Sequence, residues 1–228
     1  CQGLRHIAND MKETGPTAII AVPLLIESLY KKLIQGIEKS GKASTVRSMI
    51  TLTNTMKNLG IDVKRKVFRD IYANLGGNLR IVVSAAAPID PAVGKWLTDI
   101  GILFLQGYGL TETANLVSGN PEGLKKPTSV GYLYPNQEIK IVDSELWIKG
   151  DNLLDGYYNE PEENKTAFVD GWFKTGDLVR LDEEGFLYPV INTEQCINCN
   201  ACSNVCPLDK KYAASNCAYS VTSKTTAP

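Results

Sequence analysis

Histidine is almost missing from this 228-residue chain, and cysteine is missing from most of it. The single histidine, His6, reads as a surface or capping group and not as a ligand. Cys1 stands alone at the start, and the other five cysteines fall between Cys196 and Cys217. The first 195 residues and the remainder therefore look like different material. An excess of one charge is also lacking. With 24 Lys and Arg against 25 Asp and Glu, the net charge is -1, and nothing general draws the chain to nucleic acid or to an anionic membrane. No apolar run reaches the ~18 residues of a membrane-spanning helix, and no signal peptide opens the chain. A soluble, cytoplasmic location is the expectation. The chain starts Cys1-Gln2-Gly3, without methionine and already in a helix-like pattern, as expected of a piece of a longer protein. What remains, 43% hydrophobic and 21% charged, is an ordinary globular composition of a length that suits one large or two small domains.

In order, Leu4 to Met11 reads as a short helix and Thr17 to Val22 as a buried strand. Pro23 suits a first helical turn, and Leu25, Leu29, Leu33 and Ile37 then recur every four residues as one apolar face, stopped by Ser40-Gly41. A second helix is predicted over Ser44 to Asn58. A third shares Val63, Val67, Phe68, Ile71, Tyr72 and Leu75 on one face and ends at Gly76-Gly77. Its basic cluster, Lys64-Arg65-Lys66 with Arg69, is expected to be a solvated face. Leu79 to Ser84 is the next strand, Ala85 to Asp90 a small-residue loop, and Asp90-Pro91 a helix start running to Asp99. Strand, helix, strand, helix, strand with short links predicts a parallel sheet with crossover helices. After Pro121 the period falls to two. Gln137 to Val142 and Glu145 to Lys149 read as a hairpin, and Asn159 to Phe168 as a short polar helix, giving a β-rich second part.

Three stretches carry chemistry. The apolar run Gly101 to Leu105 is expected to empty into Gln106-Gly107-Tyr108-Gly109-Leu110-Thr111-Glu112-Thr113. There, with no side chains beside it, the Tyr108 ring would offer a flat face to a heterocycle. Gly107 and Gly109 would take positive φ and let a ligand approach. Thr111 can bond a phosphoryl oxygen, and Glu112 can hold Mg²⁺. The plainer reading is a glycine turn with a threonine cap. Gly171 to Leu178 reads as a tight turn presenting Asp177, whose two acceptor oxygens match two adjacent ribose hydroxyls; the plainer reading is a hairpin corner with Trp172 and Phe173 in the core. Ligands of parallel sheets sit beyond the carboxyl ends of the strands, where the Ser84 to Pro88 and Gly107 to Thr113 loops fall.

Together, Gln106 to Thr113, Gly150 to Tyr158 and Gly171 to Leu178 resemble the adenylate-forming enzymes, in particular the AMP-forming long-chain fatty acyl-CoA synthetases. Ser84-Ala85-Ala86-Ala87-Pro88 is similar to that family's adenine-side loop, and Ala21-Val22-Pro23 to its long-chain branch. The resemblance spans about residues 3 to 188. It implies a partial adenylate-forming domain over 1–184, α/β in class. ATP or AMP would be held by Ala85, Ala86, Ala87, Pro88, Gln106, Gly107, Tyr108, Gly109, Thr111 and Asp177. Tyr108 would stack on adenine, Thr111 would contact the α-phosphate, Asp177 would bind the ribose, and Glu112 would hold Mg²⁺. Thr111 and Glu112 carry the implied catalysis: ATP and a fatty acid give an acyl-adenylate, which CoA converts to a thioester. The family's phosphate loop with its lysine, and its C-terminal domain with a catalytic lysine, are not found in this chain, which is therefore expected to be inactive alone.

Cys196-x2-Cys199-x2-Cys202-x3-Cys206-Pro207 is the cysteine run of bacterial ferredoxins, a pattern that binds 4Fe–4S clusters. A zinc knuckle is the alternative, with disulfides behind it. Only one run is present, so Cys196, Cys199 and Cys202 lack the fourth thiolate that a second run supplies in two-cluster ferredoxins. A labile cluster, or none, is expected on this small irregular tail, 185–228. The residues leading into it resemble the start of deazaflavin-dependent hydrogenase and dehydrogenase beta subunits, which share the acidic-Gly-Phe-Leu-Tyr segment with acyl-CoA synthetases. An iron–sulfur electron-transfer protein with a redox partner is thus one alternative function, and a chimera of two genes joined within Asp182 to Tyr188 is another.

Overall fold

The structure, a computed structural model, describes residues 6–85, 89–122, 126 and 128–190. The expected sites at Ala86, Ala87, Pro88 and the cysteine run lie outside those residues. The chain falls into two compact units: Cys1–Ala85 with Ile89–Leu105 and Glu122–Pro127, and Ala86–Pro88 with Gln106–Pro121 and Thr128–Pro228.

The first unit runs α1 (Ile7–Thr14), β1 (Ala18–Ala21), α2 (Pro23–Lys39), α3 (Ala43–Asn58), α4 (Lys64–Val67), α5 (Arg69–Asn74), β2 (Ile81–Ser84) and α6 (Pro91–Asp99), and it holds the start of β3 (Leu103–Tyr108). β1 pairs in parallel with β2, from Ala18 opposite Ile81 to Ala21 opposite Ser84, and β3 is the other neighbour of β2. Pro23 opens α2 as its residue type suggests, and of the four-residue apolar repeat Leu29 is buried, with Ile26 beside it. At α6 the Asp90 carboxylate accepts from the Ala92 N–H at 2.8 Å, a cap worth about 1 kcal/mol. The core gathers Phe68, Tyr72, Leu79, Val82, Val93, Ile100, Ile102 and Phe104, all nearly solvent-free.

Two expectations need correction here. The third helix is not continuous. Phe68 leaves helical geometry at φ -97°, ψ 23°, and divides α4 from α5. Ile71 N–H then bonds back three residues, to the Phe68 carbonyl at 2.9 Å. Tight and regular turns both bring the same apolar positions inward, so periodicity does not separate them. The basic cluster is a solvated face at Arg65, Lys66 and Arg69, which are exposed, but not at Lys64. Lys64 is 3% exposed and its ammonium donates to the Thr98 carbonyl at 3.2 Å. Burial pulls its pKa below the ordinary lysine value. Arg65 donates to the Gly77 carbonyl at 2.8 Å and lies 4.9 Å over the Tyr72 ring. The long apolar stem of Lys64 lets it pack inward while its charge finds an acceptor, whereas Arg65 stays exposed along its contacts.

In the second unit the end of β3 pairs antiparallel with β4 (Ser118–Gly119), and β4 with β5 (Tyr132–Leu133). A second sheet has the order β10-β9-β7-β6, from β6 (Gln137–Val142), β7 (Glu145–Gly150), β9 (Trp172–Leu181) and β10 (Leu187–Pro189). Helix α7 (Pro161–Ala167) and β8 (Phe168–Val169) lead into β9, and β8 pairs with it. The β6–β7 hairpin forms in the register the alternation predicts, Gln137 opposite Gly150 through Val142 opposite Glu145. Its two turn residues, Asp143 and Ser144, both take positive φ (50° and 69°), as a two-residue turn between twisted strands requires. Tyr108, Val117, Val130, Leu146, Ile148, Val179 and Leu187 form the core of this unit. Since Leu187 pairs with Leu181, the sheet continues past residue 184. Among the described residues no helix is long and apolar enough to cross a membrane.

Candidate functional site

Strand β3 does not empty into a loop at Gln106; it continues to Tyr108, with alternate residues buried. Phe104, Gln106 and Tyr108 consequently share the inward face, and Tyr108 is 3% exposed. The expectation of a ring with no side chains beside it is overturned by strand alternation. The positive φ expected at Gly107 and Gly109 is absent as well. It falls instead on Ala114 (50°) and Asn115 (72°). What Gly109 supplies is proximity, because a β-carbon there would sit 2.2 Å from the Asn115 carbonyl oxygen.

Asp177 lies within β9 and not at a tight turn. Lys174 pairs with Trp147 and Leu178 with Glu145, so Thr175, Gly176 and Asp177 bulge opposite Leu146. Gly176 takes φ 73° to make the bulge. Side chains stitch it in place. Thr175 Oγ1 donates to the Leu146 carbonyl at 2.7 Å and accepts the Asp177 N–H at 3.0 Å, while Glu145 Oε1 accepts the Gly176 N–H at 2.9 Å. Phe173 is core at 3% exposed, as the hairpin-corner reading has it, whereas Trp172 remains half-buried beneath Lys140, whose Nζ is 4.5 Å from its ring.

The bulge turns Asp177 inward to 8% exposure, where its Oδ2 accepts the Tyr108 hydroxyl at 2.5 Å, joining residues 69 apart in sequence. Burial raises the Asp177 pKa above the ordinary carboxylate value; the Tyr108 bond opposes this, and the charges of Glu145 and Glu112 add to it. Glu112 is half-buried and accepts the Tyr157 hydroxyl on Oε1 at 2.9 Å. Tyr157 is pushed up to about 12 by burial, by that bond and by the charges of Glu112 and Glu163, so it stays a donor. Thr111 is exposed, and Gln106 Oε1 is buried without a hydrogen-bond partner.

Tyr108, Gln106, Glu112 and Asp177 thus sit in one unit, joined by a direct bond in one case and by electrostatic reach in another. Ala85 belongs to the other unit. Sequence reasoning missed Tyr157. Its neighbour Tyr158 is 90% exposed, and nothing in the local sequence tells the two tyrosines apart. Among the described residues no cluster of His, Cys, Asp and Glu is arranged to hold a metal by itself. The donors present, a carboxylate oxygen of Glu112 and the Thr111 hydroxyl, are hard oxygens of the kind Mg²⁺ takes alongside substrate phosphates.

Residues 3–158 match the model of the family described as AMP-binding enzyme, and residues 189–209 match that of the 4Fe-4S binding domain. The chain is 31% identical over 206 residues to the long-chain-fatty-acid–CoA ligase FadD15 of Mycobacterium bovis, covering 84% of this chain and 34% of that one. A long-chain-fatty-acid–CoA ligase of Yersinia pestis is 34% identical over 151 residues, covering 60% and 26%. The crystal structure of the N-terminal domain of FACL13 from Mycobacterium tuberculosis superposes with a TM-score of 0.57 at 25% identity, covering 83% of this chain and 42% of that one. The chain spans about a third of the length of the curated relatives it matches.

Proposed function

The chain belongs to the AMP-binding enzyme family, and we propose that it is the nucleotide-gripping segment of an AMP-forming fatty acid–CoA ligase. The observation that carries this reading is the Tyr108–Asp177 bond, which brings two motifs 69 residues apart to 2.5 Å, within electrostatic reach of Glu112. Gln106 Oε1 would accept from the exocyclic amine of adenine, which would stack on Tyr108 after that ring, 3% exposed here, opens to the ligand. Asp177 would exchange the Tyr108 hydroxyl for the ribose hydroxyls, and Thr111 would donate to the α-phosphate. Glu112 would hold Mg²⁺, which when bound offsets phosphate charge as the fatty carboxylate displaces pyrophosphate. CoA sulfur then takes the acyl group and AMP leaves. AMP should raise the melting temperature of the chain. An unchanged melting curve at millimolar AMP would defeat the reading.

Binding and turnover separate in this chain. Phosphoryl chemistry depends on cations placed around the leaving charge, and none of the residues read here as nucleotide contacts is a lysine or an arginine. The chain by itself is therefore expected to give no ATP–pyrophosphate exchange above a protein-free blank. Exchange above that blank would show that the side chains present suffice.

A second reading is supported by the match of residues 189–209 to the 4Fe-4S binding domain: the tail passes electrons to a redox partner. Cys196, Cys199, Cys202 and Cys206 would be its ligands, with Cys206 out of place for a single site. Anaerobic reconstitution with iron and sulfide should give a thiolate-to-iron absorption band that bleaches in air and is absent in Cys199→Ser. A band that survives air would contradict the incomplete ligand set.

A further inference from the structure

We propose that Tyr157 is a positioning residue that fixes Glu112 for a divalent cation, acting at the end of a strap formed by residues 150–158; this rests on the nucleotide reading above. The strap is tied to the 111–116 segment at successive points. Asn152 Nδ2 donates to the carbonyls of Thr113 at 2.8 Å and Leu116 at 3.3 Å. The Leu154 N–H donates to the Glu112 carbonyl at 2.9 Å, and the Tyr157 hydroxyl to Glu112 Oε1 at 2.9 Å. Backbone and side chain of the same acid are thereby held from one loop.

Tyr157 is itself anchored. Asn164 accepts its N–H at 2.7 Å through Oδ1 and donates to its carbonyl at 2.8 Å through Nδ2. Its ring meets Phe168 edge-on, centroids 6.3 Å apart, and Phe168 packs on Phe173 at 5.1 Å. A half-exposed glutamate would otherwise spread over several rotamers and lose that freedom on meeting a cation. With Oε1 held by one donor, Oε2 and the remaining lone pair of Oε1 are presented already ordered.

The test uses the full chain with Mn²⁺ and ATP as probes, followed by electron paramagnetic resonance, beside AMP binding without metal and thermal melting. Tyr157→Phe should raise the Mn²⁺ concentration for half-saturation by about ten- to a hundredfold, the loss of one hydrogen bond to a charged group. Its metal-free AMP affinity and melting temperature should stay as in the parent chain. Tyr158→Phe, which alters an exposed ring, should match the parent throughout. An unshifted Mn²⁺ titration for Tyr157→Phe overturns the proposal, and so does a parallel loss of metal-free AMP binding, which would mark a merely structural role. If the parent chain binds AMP but takes no Mn²⁺ with ATP, the positioning role fails while nucleotide recognition stands. If it binds no AMP, both fall together.

Discussion

Asp177→Asn is expected to weaken AMP binding by about ten- to a hundredfold, the worth of charge-assisted bonds to two hydroxyls, and at neutral pH to raise the melting temperature. The two effects have one cause. Asp177 is 8% exposed, and burial lifts its pKa above the ordinary value, aided by Glu145 and Glu112 and opposed by Tyr108. A carboxyl whose folded pKa is raised holds its proton more tightly folded than unfolded. Stability therefore falls as pH rises through that interval, and the penalty is complete above the folded pKa. Asparagine carries no charge yet keeps an acceptor for the Tyr108 hydroxyl. The advantage of the variant should be largest above the raised folded pKa and should shrink as pH falls through it, where the parent becomes neutral too. Calorimetric titration with AMP and melting curves at several pH values measure both halves. Undiminished AMP affinity would remove Asp177 from the site, and a lower melting temperature at pH 7 would contradict the electrostatic account.

Gly131→Ala should cost the second unit about 2–5 kcal/mol, adding a left-handed backbone to a forced overlap. Gly131 sits at φ 87°, and a β-carbon there would stand 1.9 Å from the Gly119 carbonyl oxygen, inside the β4–β5 pairing. Its carbonyl also accepts the Leu187 N–H at 2.9 Å, so a shift would disturb the chain beside β10. Gly171 provides the contrast. It has φ 77°, yet nothing lies within 4 Å of an added β-carbon, so Gly171→Ala should cost only about 1–2 kcal/mol for the backbone. Urea unfolding followed through Trp147 and Trp172, which both lie in the second unit, would separate the variants. Equal losses would mean that space at Gly131 is irrelevant.

Much of the fold was legible where one local signal decides. Asp90-Pro91 announces α6, and the alternating runs Gln137 to Val142 and Glu145 to Lys149 give the hairpin. Illegible features depend on partners distant in sequence. Lys64 goes inside because the Thr98 carbonyl, 34 residues on, waits for its ammonium. Tyr108 reads as an open face until strand alternation and Asp177 close over it. The Thr175 to Asp177 bulge leaves a trace in Gly176, but its cause is a mismatch with β7 that no single segment carries. The residue types of the motifs were legible, and their geometry was not. Residue type announces which chemistry is on offer, whereas hydrogen-bond partners decide which atoms remain free to perform it.

Asn164 closes its ring onto the Tyr157 backbone with one accepting and one donating atom of the same side chain. Hydrolysis of that amide to an acid would keep the acceptor and replace the donor with a second oxygen facing a carbonyl. The hold on Tyr157, and through it on Glu112, would then slacken without any change in the encoded sequence. Such a conversion would show as a gain of one negative charge and a small mass increase.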